Sequence, residues 1–297
     1  MPLSSNMKGA LFMTLAMAGF VTNDALLKRV AEDISMNQAI VLRGFFGTIW
    51  IYLIARRFGA LRPLKTAFGR LPALRTLGEV LGTVFFLTAL THIELANASA
   101  ILQALPLAIT LGGALFLKEP VGWRRLLAIL AGFFGVLLII RPGLTGFSAW
   151  TILIVFAVFS ATLRDLCTRA MDRNIPSLYL SLIAAPAVAI AGLLMCAFEG
   201  RWDPINWTQL AMLVGASVFM LVGYQFIVLA MREGEIPIVT PFRYTSLLWA
   251  VIFGVVVFGD FPDALTLLGG AIIVASGLYT LYREQVVLKR NAGEVDS

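Results

Sequence analysis

Polar positions are so rare in this chain that they act as punctuation between apolar runs. A helix needs about 20 mostly apolar residues to cross a hydrocarbon core of about 30 Å. On that rule the chain gives ten segments: residues 8–27, 36–55, 74–92, 97–117, 124–141, 149–170, 177–198, 207–230, 237–258 and 264–282. The connections are short and leave no room for a separate soluble domain. The longest, from Arg56 to Arg75, is basic and interrupted by Pro63 and Pro72, and the polar tail from Arg283 is expected to be disordered.

Composition agrees with this pattern. Hydrophobic residues make up 59% of the 297, charged residues 13%, and the mean hydropathy is +0.88, whereas soluble domains carry about 25% charged residues. The expectation is an all-α integral membrane protein of ten transmembrane helices. No cleavable signal peptide is evident, because the first run has no small-residue cleavage site followed by a soluble region.

The net charge of +6 would suit a nucleic-acid binder, but the placement of the basic residues argues against one. Taking the connections alternately, 16 Lys and Arg fall on the side of the N-terminus and 4 on the other, with Arg43, Arg164 and Arg243 inside segments. The positive-inside rule then puts both termini in the cytoplasm and the chain in the cytoplasmic (inner) membrane. Its expected partners are the lipid bilayer and a small-molecule substrate, with no nucleic acid. Cys167 and Cys196 lie in different segments and read as two buried thiols.

Shifting the chain by 141 residues lays the first five segments on the second five. Gly82, Phe85 and Ala89 fall on Gly223, Phe226 and Ala230; Asp24 and Lys28 fall on Asp165 and Arg169; Glu119 falls on Asp260. The matching order of segments supports the repeat more than these few identities do. The expected halves are 1–145 and 146–297. Five crossings per half is an odd number, so the halves sit upside down relative to each other. Transporters often use that construction, with substrate near the midplane between the repeats.

Ile236 to Gly254, IPIVTPFRYTSLLWAVIFG, concentrates the chemistry. Arg243 stands about a third of the way along, where a charge costs about 2.5–3.5 kcal/mol on insertion scales. Pro237 and Pro241 withhold backbone donors from the first turns, and freed carbonyls at that depth must face protein or a cavity. Tyr244 and Trp249 add aromatic surface. This is the expected ligand-facing helix.

Two stretches carry a family resemblance: LTALTHIELANASAILQALPLAITLGGALFLKEPVGWRRLLAILAGFFGVLLIIRPG, residues 87–143, and TPFRYTSLLWAVIFGVVVFGDFPDALTLLGGAIIVASGLYTLYRE, residues 240–284. With the five-plus-five repeat they resemble the drug/metabolite transporter superfamily, EamA type, over essentially the whole chain. The resemblance implies a central cavity lined mainly by helices 1, 3, 4, 6, 8 and 9. It implies an organic substrate such as S-adenosylmethionine, riboflavin or an amino acid. Asp260 departs from the family's usual Glu while keeping the charge.

Each charged residue inside a segment has a structural reading beside a functional one. Arg243 can tie helices together through Glu79 or Asp165, or grip a substrate carboxylate or phosphate with its fork of donors. Gln103 is the repeat mate of Tyr244, so both halves offer a polar group at one depth. Glu79, in Gly78-x3-Gly82, can carry a coupling proton or pair with Arg243. Arg43 is expected to pair with Asp24; Asp24 and Asp165, the latter beside Arg164, are either helix-end charges or gates on opposite faces. Glu119 and Asp260 are expected to organise loops. Ala128-x3-Gly132 and Ala271-x3-Ala275 read as packing seams between halves or between subunits, which leaves a homodimer open.

The inventory for catalysis is poor: one histidine, His92, near the outer surface, and no HExxH, P-loop or Ser-His-Asp set. No metal or cofactor is expected. The chain reads as a secondary or facilitative transporter of a planar or amphipathic metabolite with an acceptor group, not an enzyme. The alternatives are an intramembrane enzyme acting on a lipid-linked substrate, or a channel or scaffold.

Overall fold

The computed structural model describes residues 4–63, 69–119, 121–142, 147–171 and 175–295. Helix accounts for every regular element among them. In order these are α1 (Ser5–Val30), α2 (Met36–Arg57), α3 (Arg70–Leu90), α4 (Leu95–Leu102), α5 (Leu105–Phe116), α6 (Trp123–Ile140), α7 (Trp150–Ala170), α8 (Ser177–Glu199), α9 (Trp207–Glu233), α10 (Ile236–Val239), α11 (Thr245–Phe253) and α12 (Ala264–Val295). A 3-10 turn, Thr240–Tyr244, joins α10 to α11, and a π-helical turn, Gly254–Phe258, follows α11. Read as membrane crossings, α4 with α5 and the stretch Thr240–Phe258 each make one span, which gives ten among the described residues. Helix α12 runs on to Val295, where the sequence suggested disorder from Arg283. No proline and no glycine before Gly293 interrupts that tail.

Local signals set several helix ends. Ser4 and Ser35 cap α1 and α2 by accepting from Met7 N and Asn37 N, and Asn206 with Gln209 forms a reciprocal capping box on α9. At the far end of the fourth and ninth spans the two halves repeat one backbone closure. Glu119 N donates to Gly113 O at 3.2 Å, and Asp260 N donates to Gly254 O at 2.9 Å. The residue before each, Lys118 (φ 56°) and Gly259 (φ 72°), is left-handed. These atoms are 141 residues apart, so the repeat extends to backbone detail.

The halves interlock. Helix α1 packs on α9 as its repeat mate α7 packs on α3, while α2 meets α8 and α6 meets α12, each against its own mate, and α4 meets α11 within the mated fourth and ninth spans. A pseudo-twofold axis therefore passes between mated helices. At the α6–α12 crossing, a Cβ on Gly135 would stand 2.8 Å from Gly269 O, and one on Gly269 2.6 Å from Gly135 O. Only glycine permits that approach, because the obstacles are backbone. Gly132 meets Leu107 and Ser276 at the same crossing. This small-residue seam thus joins the two halves. Ala128 and Ala275 instead line a shallow cleft with Trp123 and Tyr279.

Candidate functional site

The fourth and ninth spans both break at mid-depth. Helix α4 stops at Leu102 and α5 restarts at Leu105, ahead of Pro106; the mated span is 3-10 from Thr240 to Tyr244, with Pro241 in its first turn. Prolines remove backbone donors and force these departures from the α ladder. At the breaks the repeat mates meet on the axis: Gln103 Nε2 donates to the Tyr244 carbonyl at 3.1 Å. The Tyr244 ring packs onto Gly277 of α12, and its buried hydroxyl has no hydrogen-bond partner among the described residues.

These breaks wall a cavity of about 330 Å³ between α1, α4, α5, the 3-10 turn, α11 and α12. Its wall is largely apolar (Met17, Phe20, Val21, Leu102, Leu107 and Leu281 among others), and it holds three charged side chains, Asp24, Arg169 and Arg243. Arg243 is half-buried and has no ion-pair or hydrogen-bond partner among the described residues. Asp24 accepts one hydrogen bond, from Asn23 Nδ2 at 2.8 Å. Arg169 is bound to Glu119, Nη2 to Oε1, at 3.0 Å. Arg243 and Arg169 lie on the half of their spans nearer the N-terminal face. Asp24, six residues from the end of α1, lies about 9 Å from the opposite end of its helix. The cavity therefore has a cationic end and an anionic end.

The other residues singled out from sequence lie elsewhere. Trp249 is not in the cavity wall: its Nε1 donates to Thr14 O at 3.2 Å and ties α11 to α1. Glu79 does not meet Arg243. A Cβ on Gly78 would stand 2.6 Å from Ser160 O, and this close approach of α3 to α7 sets Glu79 against Arg164 at 3.5 Å and against Arg75 at 3.8 Å. Asp165 takes its cation from its own neighbour, Arg164 Nε, at 2.7 Å. Arg43 reaches Asn23 Oδ1 at 3.5 Å rather than Asp24 directly. Arg43 and Glu79 line a separate pocket of about 40 Å³ with Thr83, Ser181 and Tyr224.

Sequence reasoning passed over Asn23, which bridges Asp24 to Arg43. The 141-residue offset makes it the mate of Arg164, and both side chains donate to the aspartate that follows them. Arg75, Tyr224 and Gly277 were likewise unmarked.

Outside the spans, ionic contacts tie the loops on the face opposite the N-terminus. Arg141 donates to Asp263, and that bond holds the Asp263 carboxyl down at about 2. Asp203 accepts from Arg201 Nε at 2.7 Å and from Ser35 N at 2.8 Å, and the Arg201 bond pulls its carboxyl below the usual range. Glu94 is pushed up by burial. His92 stacks on Trp150 at 3.7 Å, and no group of three or more His, Cys, Asp or Glu among the described residues could hold a metal.

The family model for the EamA-like transporter family matches the chain twice, at residues 7–141 and 148–282. The chain belongs to the EamA-like transporter family. Curated relatives of similar length include the pseudopaline exporter CntI of Pseudomonas aeruginosa (strain ATCC 15692 / PAO1), 27% identical over 287 residues, covering 90% of this chain and 94% of that one. The S-adenosylmethionine uptake transporter of Rickettsia conorii is 23% identical over 290 residues and covers 97% of each. The riboflavin transporter of Vibrio cholerae serotype O1 is 27% identical over 277 residues, 91% of each. A solved crystal structure superposes with a TM-score of 0.60 at 19% identity, over 92% of this chain and 96% of that one, a likeness of fold. The EamA fold is thus present as ten membrane-length helices in two repeats, with the cavity where the repeats meet.

Proposed function

We propose that this EamA-family protein moves a small organic metabolite across the cytoplasmic membrane as a secondary or facilitative carrier, with the 330 Å³ cavity as its substrate site. The single observation that carries the reading is Arg243, a guanidinium held at a helix break in the cavity wall with no protein partner among the described residues. A charge at membrane depth is retained at a cost of a few kcal/mol, and a carboxylate or phosphate on the ligand offsets that cost through two parallel hydrogen bonds. Asp24 at the other end matches a cationic group, and the apolar wall between them matches a hydrocarbon or aromatic body. The substrate class this favours is amphipathic, with an anionic group and a separate cationic group. S-adenosylmethionine, named for the Rickettsia relative, carries a carboxylate and a sulfonium cation on one arm and an adenosyl body for the apolar wall; riboflavin, named for the Vibrio relative, has neither charge.

Residues 1–145 and 146–297 act as the two moving halves, with both termini cytoplasmic as the 16-to-4 charge bias requires. In a variant lacking Cys167 and Cys196, a cysteine at exposed Arg62 should react with an impermeant thiol reagent only after permeabilisation, and one at exposed Trp202 from outside. The reverse pattern would overturn the orientation. Counterflow in proteoliposomes tests the function: trans-stimulated exchange of unmodified S-adenosylmethionine or of an amino acid supports a carrier. Chemical conversion of the compound would point to an enzyme, and flux without trans-stimulation to a channel.

A further inference from the structure

The 141-residue symmetry relates four charged side chains at the ends of the spans that line the cavity. Arg169 closes α7 and Glu119 follows α5, both on the N-terminal face; their mates are Lys28 near the end of α1 and Asp260 after the π-helical turn, both on the opposite face. The backbone around the two acidic residues is the same, down to the closing bond onto Gly113 or Gly254. Their side chains are not used in the same way. On the N-terminal face the pair is made, Arg169 to Glu119 at 3.0 Å. On the opposite face it is unmade. No Lys28–Asp260 contact within 4.0 Å is present, and Lys28 donates to the Ile93 carbonyl at 2.5 Å while standing 5.2 Å over the Phe258 ring. Two mated pairs of opposite sign, one joined and one parted, are what an inverted repeat gives when one mouth is shut and the other is not.

We infer that Glu119–Arg169 and Asp260–Lys28 are alternating latches of the transport cycle, each joined only while the other is parted. The exchange asks Lys28 to release the Ile93 carbonyl and turn its flexible stem from the Phe258 ring to the carboxylate two residues further along. Arg169 also lines the cavity, so parting its latch frees a second guanidinium at the cationic end and couples closure to occupancy. Glu119 and Asp260, read from sequence as loop-organising charges, and the repeat mates Lys28 and Arg169 are thereby assigned to the cycle. The latches rest on the carrier reading for their purpose, but their exchange can be measured without a substrate.

The measurement uses Ser246→Cys, a cavity-wall reporter beside the ninth-span break, in the protein lacking Cys167 and Cys196. An impermeant methanethiosulfonate is applied to right-side-out and inside-out vesicles. Glu119→Gln should speed the reaction from the N-terminal face by about fivefold or more and slow it from the opposite face. Asp260→Asn should do the converse, and the two together should return the ratio toward its starting value. Glu119→Arg with Arg169→Glu restores the pair with its signs exchanged and should restore the starting ratio; this guards against a single variant that merely folds badly. The inference fails if both single variants shift the ratio in the same direction. It also fails if well-folded Asp260→Asn leaves the ratio unchanged, or if the swapped pair behaves like Glu119→Gln. A shift as expected without counterflow would retain the latches and discard the carrier reading; counterflow without the shift would do the opposite.

Discussion

Gly277→Ala tests whether the axis at mid-depth is as tightly filled as the structure has it. A Cβ at position 277 would overlap the Tyr244 hydroxyl and the ring carbon that bears it. The ring is buried beside the cavity, and its own backbone carbonyl is fixed by Gln103. Moving the ring sacrifices no hydrogen bond, since the hydroxyl has none among the described residues. The cost is therefore steric, about 1–3 kcal/mol for one carbon forced into a filled site. Replacing glycine by alanine inside α12 returns up to about 1 kcal/mol through helix propensity. The net expectation is a loss of about 0–3 kcal/mol in wild type. With Tyr244→Ala the clash is gone and the same substitution should stabilise. A double-mutant cycle read by unfolding in detergent should therefore give a coupling of about 1–3 kcal/mol, with the sign of the Gly277→Ala effect reversing between backgrounds. An identical effect in both backgrounds would refute the argument and mean that the ring does not rest on Gly277.

Arg243→Lys keeps the charge and loses the planar fork, so apparent KM for a transported carboxylate should rise by an amount on the order of 1–2 kcal/mol. Its melting temperature should stay close to wild type because Arg243 has no partner to lose; normal transport by Arg243→Ala would remove the anchor. Arg164→Met takes the cation from Asp165 and the nearer of two from Glu79, which keeps Arg75; the two carboxylate side chains are 29% and 17% exposed. It should destabilise by about 3–5 kcal/mol, much of it recovered when Glu79→Gln is added; chemical unfolding of the single and double variants checks this. The Asp263 carboxyl is held near 2 by Arg141, so its stabilisation is present above the ordinary carboxylate range and lost as pH falls from about 4 through about 2. Asp263 is 51% exposed, which limits the effect to about 0.2–1 kcal/mol, and Asp263→Asn should flatten the melting temperature over that window.

The crossings were legible because a bilayer tolerates only long unbroken apolar helices, and the chain has little else. Gln103 and Tyr244 could be paired from the offset alone, since an axis between mated helices must bring some mates together. Trp249 was read only as aromatic surface near Arg243; six helical residues turn through about 600°, which sends the two side chains to different faces and the indole toward Thr14 on α1. The partner of Glu79 was hidden because it depends on α3 crossing into the other half to lie on α7, a contact between residues 85 positions apart in sequence. Asn23 carried no charge to draw attention. Its role follows only from its mate, Arg164, and from knowing that both precede an aspartate.

The shared closure at Glu119 and Asp260 bears on how this protein can be tuned. Were the two repeats identical in sequence, a half-turn about the axis would carry the state facing one compartment onto the state facing the other, and thermodynamics would hold them equally populated. Any preference must come from places where mates have diverged. Glutamate with arginine on one side and aspartate with lysine on the other is such a place, with the same backbone and chemically different side chains. About 1.4 kcal/mol of difference between the two couples would set a tenfold preference for one facing. Exchanging Glu119 with Asp260, neither of which lines the cavity, would thus reset the resting orientation while leaving the binding chamber untouched.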